Sequence, residues 1–150
     1  MSRVLVIGDL HCPATHPDYM GFVKKVAKKY KTDRTVFIGD VVDHASISFH
    51  KKNPEHPSAM EEYHQATEGI KAWYRAYPKA EVMIGNHDER VFRLSADAGI
   101  PDHYIKPYND VYGTKGWKWV RNVSIDGVYY YHGIGASGQY PAFHAAKLRL

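Results

Sequence analysis

The sequence predicts a layered α/β domain, and three observations carry that expectation. Strand-type and helix-type patterns alternate through most of the chain, a hairpin signal follows them, and polar motifs sit where apolar runs end. The runs are Val4-Leu5-Val6-Ile7, Thr35-Val36-Phe37-Ile38, Glu81-Val82-Met83-Ile84 and Val128-Tyr129-Tyr130-Tyr131. The motifs that follow them are Asp9-Leu10-His11, Gly39-Asp40-Val41-Val42-Asp43, Gly85-Asn86-His87-Asp88 and His132-Gly133. Alternation of strands and helices favours parallel pairing with right-handed crossovers. Ligand sites in such sheets lie beyond the carboxyl ends of the strands, where all of these motifs fall.

The elements follow in order. After the first strand, Asp18 can cap a helix running to about Lys31, with lysines favourably placed near its C-terminal end. Val23, Val26, Ala27 and Tyr30 are its inward candidates. The polar stretch from His44 to Pro57 holds two prolines and reads as a loop with one helical turn. Ser58-Ala59-Met60-Glu61 matches a capping box and opens a helix to about Tyr77, closed by Pro78. Met60, Tyr63, His64, Thr67, Ile70, Lys71 and Tyr74 follow its helical spacing. Gly85-Asn86 turns the third strand into a helix from about Glu89 to Ala98, ended by Gly99 and Pro101, with Asp88 as its cap rather than a metal ligand. Trp117 to Ile125 and Val128 to Tyr131 flank Asp126-Gly127 as a hairpin, and a last helical pattern begins near Pro141.

Composition bounds the function classes. At 150 residues the chain is expected to form one domain over 1–150, with no repeat or linker. Charged residues at 24% and hydrophobic ones at 44% are ordinary globular values, which excludes a fibrous or disordered chain. No apolar stretch is long enough to span a bilayer, and no signal-peptide layout is present, so a cytoplasmic protein with no membrane partner is the expectation. The single cysteine, Cys12, cannot form an internal disulfide, in keeping with a reducing compartment. It adjoins His11, but its neighbours favour oxygen and nitrogen ligation over thiolate. The net charge of +4 is mild. Lys24, Lys25, Lys28, Lys29 and Lys31 form one basic cluster, read either as a solvated helix face or as a surface for a polyanion such as nucleic acid. The aromatics Trp117, Trp119, Tyr129, Tyr130 and Tyr131 are read as hairpin faces.

The motifs differ in weight. An Asp-x-His pair or a Gly-Asp after a strand is weak alone. Gly-Asn-His-Asp is specific, because Gly and Asn tolerate a tight positive-φ turn. Oxygen and imidazole groups converging without thiolates suit hard or borderline divalent metals. In this order the motifs resemble the calcineurin-like metallophosphoesterases, whose pattern is D-x-H, G-D-x-x-D, G-N-H-D/E, H and then G-H-x-H. The resemblance covers roughly residues 4 to 133.

It implies an αββα sandwich with mixed sheets, and hydrolysis of phosphomonoesters or phosphodiesters by a dinuclear centre with a bridging hydroxide nucleophile. Asp9 and His11 would bind the first metal, Asp40 would bridge both, and Asn86 and His132 would bind the second. A carboxylate can share its oxygens between cations about 3.5–4 Å apart, which a neutral ligand does poorly. His87 would be the catalytic acid and Asp43 the carboxylate that orients it. Two divalent ions are implied, manganese first, with iron, zinc, nickel or magnesium also suited to these ligands.

The sequence departs from the family in two places. Many members continue Gly-Asp-x-x-Asp with Arg-Gly, whose arginine grips the phosphate, whereas His44-Ala45 follows here. His44 is a partial substitute and Arg90 an alternative, so both are candidates for substrate binding. This leans away from serine/threonine protein phosphatases and toward nucleases, phosphodiesterases and small-substrate phosphatases. No Gly-His-x-His follows His132, and Phe143 to Leu150 read as the middle of an amphipathic helix. Three expectations follow: a form truncated at the C-terminus, a site completed by a second chain in an oligomer, or a catalytically impaired interaction module. His144 reads as a helix-surface residue rather than a substitute ligand.

Overall fold

The computed structural model describes residues 1–50, 53–134 and 146. The predicted helix near Pro141 and His144 lie outside the described residues. Four short strands form one all-parallel sheet in chain order: β1 (Val4–Ile7), β2 (Arg34–Phe37), β3 (Ala80–Met83) and β4 (Trp117–Val120). The register runs Val4 to Arg34, Val36 to Glu81 and Ala80 to Trp117. Parallel neighbours need crossovers, and the helices supply them: α1 (Tyr19–Tyr30), α2 (Ala59–Ala76), then α3 (Arg90–Asp97) with the short α4 (Tyr108–Tyr112).

Alternation along the strands assigns the layers. Leu5, Ile7, Phe37, Val82 and Trp117 face the helical side, where they pack with Val23 of α1 and Ala66, Ile70 and Trp73 of α2. Val4, Val36, Met83 and Val120 face the other side, which is covered by the antiparallel hairpin β5 (Asn122–Ile125) and β6 (Val128–Tyr131) through Val123, Ile125 and Tyr130. Among the described residues the result is a helix–sheet–sheet layering, three of the four layers of the expected αββα sandwich, with one all-parallel and one antiparallel sheet rather than mixed ones, and each fully buried large apolar side chain contributes about 1.5–3 kcal/mol.

Several elements differ from expectation. Trp117 to Ile125 is two strands, not one hairpin arm: β4 pairs with β3, and the chain breaks at Arg121 before β5 joins the second sheet. Trp117 and Trp119 therefore belong to the helical side. Trp117 lies 4.7 Å from Phe37, and Trp119 stacks on Tyr108 at 4.5 Å. The α2 capping box is present, but the buried stripe runs Glu62, Ala66, Thr67, Ile70, Trp73, and Met60 is exposed. On α1, Asp18 occupies the N-cap without a side-chain hydrogen bond, Val23 is buried and Tyr30 is exposed. All five lysines of its cluster are exposed. Cys12 is buried beside Thr15, away from any ligand role, and burial pushes its thiol up to about 11. Among the described residues no helix is long and apolar enough to cross a membrane.

Candidate functional site

The loops after β1 and β2 continue the parallel pairing beyond the strands. The His11 N–H donates to the Asp40 carbonyl at 2.9 Å, the Cys12 N–H to Val41 at 2.9 Å, and the Asp43 N–H to Cys12 at 3.0 Å. This zipper brings the first two motifs side by side. It also forces unusual backbone: His11, Asp40 and His44 have φ of 47, 49 and 52°. Such conformations cost of order 1–3 kcal/mol each and persist where the surroundings over-determine them. Gly39 and Gly85 allow the remaining close approaches. Gly39 has φ 110° with the His132 ring against its Cα, and Gly85 lies directly against Asp40.

The predicted groups converge as two overlapping clusters. In one, Asp43 Oδ1 lies 2.8 Å from His11 Nδ1 and 3.2 Å from His87 Nδ1. Ligand atoms of His11, Asp43 and His87 all fall within 4.8 Å of one another, so this trio could hold a metal. In the other, His132 Nε2 lies 3.0 Å from Asn86 Oδ1 and 3.2 Å from Asp40 Oδ2. Asp40 stands between them, with Oδ2 3.8 Å from His11 Nε2 and Oδ1 accepting the His87 N–H at 2.8 Å. Asp9 is exposed, and its charge reaches His132.

Proton accounting shows what the second cluster requires. His132 Nδ1 lies 2.9 Å from the Ile38 carbonyl, which can only accept, so Nδ1 carries the proton. In the neutral ring Nε2 then presents a lone pair to two further oxygen lone pairs. That arrangement calls for a cation. A proton satisfies it in the bare protein: the Asp40 hydrogen bond, opposed by burial and helped by Ile38 and Asp9, raises His132 to about 9. Burial resists the Asp40 charge, but His132 and the His87 N–H outweigh it and hold the carboxyl below its usual range. A divalent ion satisfies it equally, since neighbouring ligands with bonds of about 2.1 Å at right angles stand about 3 Å apart. The donor set therefore fits a metal.

His44 and Arg90 are placed behind the site. His44 Nδ1 donates to the His87 carbonyl at 2.9 Å, leaving Nε2 to accept from Tyr112 Oη at 3.3 Å, and burial lowers its pKa. Arg90 is buried, with Nη1 donating to the carbonyls of Asp43 at 3.1 Å and His44 at 2.7 Å.

Sequence reasoning missed two supports. Asp88 is not the helix cap. Glu89 takes that position without a side-chain hydrogen bond, and the fully buried Asp88 turns back under the site. Its Oδ1 accepts from the Val41 and Val42 N–H groups at 3.0 and 3.1 Å, and its Oδ2 from Gly85 at 2.9 Å. Burial pushes its carboxyl up to about 7 despite these donors. The contact to Gly85, three residues back, was the one sequence-local signal. Asp88→Asn turns an NH₂ toward one of these donors, and the unpaired group should lower stability by about 1–3 kcal/mol, read from urea unfolding. Glu62 is the second support: it accepts from the Ala45 and Ser46 N–H groups at 2.7 and 2.9 Å, pinning the turn after His44. No sequence pattern distinguished it from its exposed neighbours on α2.

No curated protein matches the chain. Residues 2–148 match the family model for calcineurin-like phosphoesterases, and with nearly the whole chain covered it belongs to that family.

Proposed function

We propose that the chain hydrolyses phosphomonoesters or phosphodiesters at a two-metal centre. The family supports phosphoester hydrolysis in general. The observation that carries the finer reading is the three-way meeting of His132 Nε2, Asn86 Oδ1 and Asp40 Oδ2, with His11 Nε2 3.8 Å from the same Oδ2. Asn86 and His132 would hold one ion, Asp9 and His11 the other, and Asp40 would serve both, with manganese the first ion to try. When bound, the ions would supply an activated water and offset charge on the phosphoryl oxygens.

The chain's own groups manage the proton and the geometry. His87 Nδ1 donates to the Asp43 carbonyl at 2.7 Å, which fixes the ring and leaves Nε2 as the atom that hands a proton to the leaving-group oxygen. The Asp43 carboxylate lies beside the Nδ1 atoms of both His11 and His87, so it orients a ligand and the acid together. His44 and Arg90 act as braces on the His87 turn: His44 bonds the His87 carbonyl and Tyr112, while Arg90 Nη1 bonds the carbonyls of Asp43 and His44 and its Nη2 lies 3.4 Å from His87 Nδ1.

Metal content and turnover of p-nitrophenyl phosphate and its bis ester, with Mn²⁺ supplied, test the reading. Bound metal, hydrolysis, loss on chelation and recovery with Mn²⁺ are expected. Bound metal without turnover would favour an interaction module on the same scaffold, and absence of both would overturn the proposal.

A further inference from the structure

Helix α1 carries Lys24, Lys25, Lys28 and Lys29, with Lys31 at its C-cap, and all five are exposed. The helix holds no acidic residue. At ~100° and ~1.5 Å per residue, Lys24, Lys28 and Lys31 form one row and Lys25 and Lys29 another, along about 10 Å of axis. The ion pairs among the described residues leave this face out. Lys71 meets Glu68, Arg34 meets Glu81 and Arg121 meets Glu89, while Asp33, just past the patch, is taken by Arg3.

A solvated helix face gains from interleaved signs, as α2 has with Glu61, Glu68, Lys71 and Arg75. Helix α1 instead sets like charges four apart, Lys24 with Lys28 and Lys25 with Lys29, an arrangement that destabilises a helix. The helix dipole offsets this only in the last turn, at Lys28 and Lys29. A bound polyanion would offset it along the whole face. Lipid fits poorly, because membrane docking needs an apolar stripe to enter the bilayer. On α1 that stripe is spent on the core: Val23 is buried, and Met20, Val26 and Ala27 pack beside it. Its exposed aromatics, Phe22 and Tyr30, stand about 12 Å apart along the axis, and Lys29 Nζ lies 5.3 Å over the Tyr30 ring. Nucleic acid needs only cations that track its phosphates, which the two rows supply.

We propose that the lysine face of α1 docks nucleic acid through its phosphate backbone, without reading its sequence. The surface acts by binding alone and does not depend on the reaction performed at the candidate site. Its test is the anisotropy of a fluorescein-labelled DNA duplex of about 20 base pairs, with EDTA present to prevent metal-dependent cleavage. Between about 50 and 200 mM NaCl, the plot of log K against log salt should fall with a slope of about −2.7 to −4.5, as for about three to five neutralised phosphates. Replacing one row by Lys24→Gln, Lys28→Gln and Lys31→Gln together should flatten that slope by about 2.7. Glutamine matches lysine in helix propensity, so the fold is spared. The control triple Lys79→Gln, Lys115→Gln and Lys118→Gln removes the same charge from exposed positions off α1 and should leave the slope near that of the wild type.

Absence of binding at the lowest salt, or a slope that survives the α1 replacements, would overturn the proposal. Equal flattening by the two triples would assign binding to net charge rather than to this face, and overturn it as well. Capture of the protein by phosphatidylserine vesicles but not by the duplex would make the face a membrane surface, again overturning the proposal.

Discussion

Replacing His87 with alanine is expected to lower turnover of an alkyl phosphate ester, whose alkoxide must be protonated as it leaves, by about 10²–10⁴-fold, the usual worth of a positioned general acid, while metal content stays near that of the wild type. The argument rests on how the ring is held. Its Nδ1 is committed to the Asp43 carbonyl, and the backbone N–H of the same residue donates to Asp40. Truncating the side chain removes the proton donor but leaves that backbone bond, so Asp40 keeps its place between His11 and His132. The loss should shrink for substrates whose leaving groups depart without a proton, because only the acid has gone. An equal fall in metal content and turnover would move His87 from the acid role to the ligand set, which its place beside His11 and Asp43 makes a real alternative.

Gly85→Ala is expected to abolish metal binding and turnover together, although residue 85 itself carries no functional group. An added methyl would overlap the backbone nitrogen and Oδ1 of Asp40 and come within 2.8 Å of its Cγ. Neither partner can yield cheaply. The Asp40 backbone is pinned by the pairing of its carbonyl with the His11 N–H, and its Oδ1 holds the His87 turn. Overpacking of this kind costs about 1–3 kcal/mol, and a displacement near 1 Å in a catalytic group can cost about 10²-fold in rate. Urea unfolding reads the first effect, and turnover together with metal titration followed by calorimetry reads the second. A Gly85→Ala protein that binds metal normally would show that the close packing of Gly85 on Asp40 is not needed by the site.

The strands, the first two helices and the convergence of the four motifs were legible because each depends on signals within a few residues: apolar alternation, the Ser58–Glu61 box, a polar motif directly after a strand. Which motif residue meets which came from the family resemblance and not from spacing: it put Asp43 with His87, and Asn86 and His132 with Asp40, while the approach of His11 to Asp43 depends on loop geometry that neither signal carried. The break at Arg121 was hidden because Trp117 to Ile125 alternates as one strand would, and only the separate pairing with β3 divides it. Glu62 and Asp88 looked like ordinary helix and cap residues, since the donors they accept from, Gly85 aside, lie 16–17 and 46–47 positions away. His44 likewise owes its orientation to Tyr112, 68 residues later.

The hairpin β5–β6 has a consequence for the order in which the molecule assembles. A two-stranded ribbon is marginal by itself, and His132, at its end, meets the carbonyl of a residue 94 positions earlier. Closing so long a loop is entropically slow compared with the local strand–helix–strand steps that build the sheet. The sheet can therefore form with Asp40 and Asn86 already presented, while the last donor arrives only when the ribbon docks. If the site binds a metal as proposed, docking of the ribbon and completion of the ion's coordination shell would be one event, and the ion would act as a latch that favours the docked ribbon.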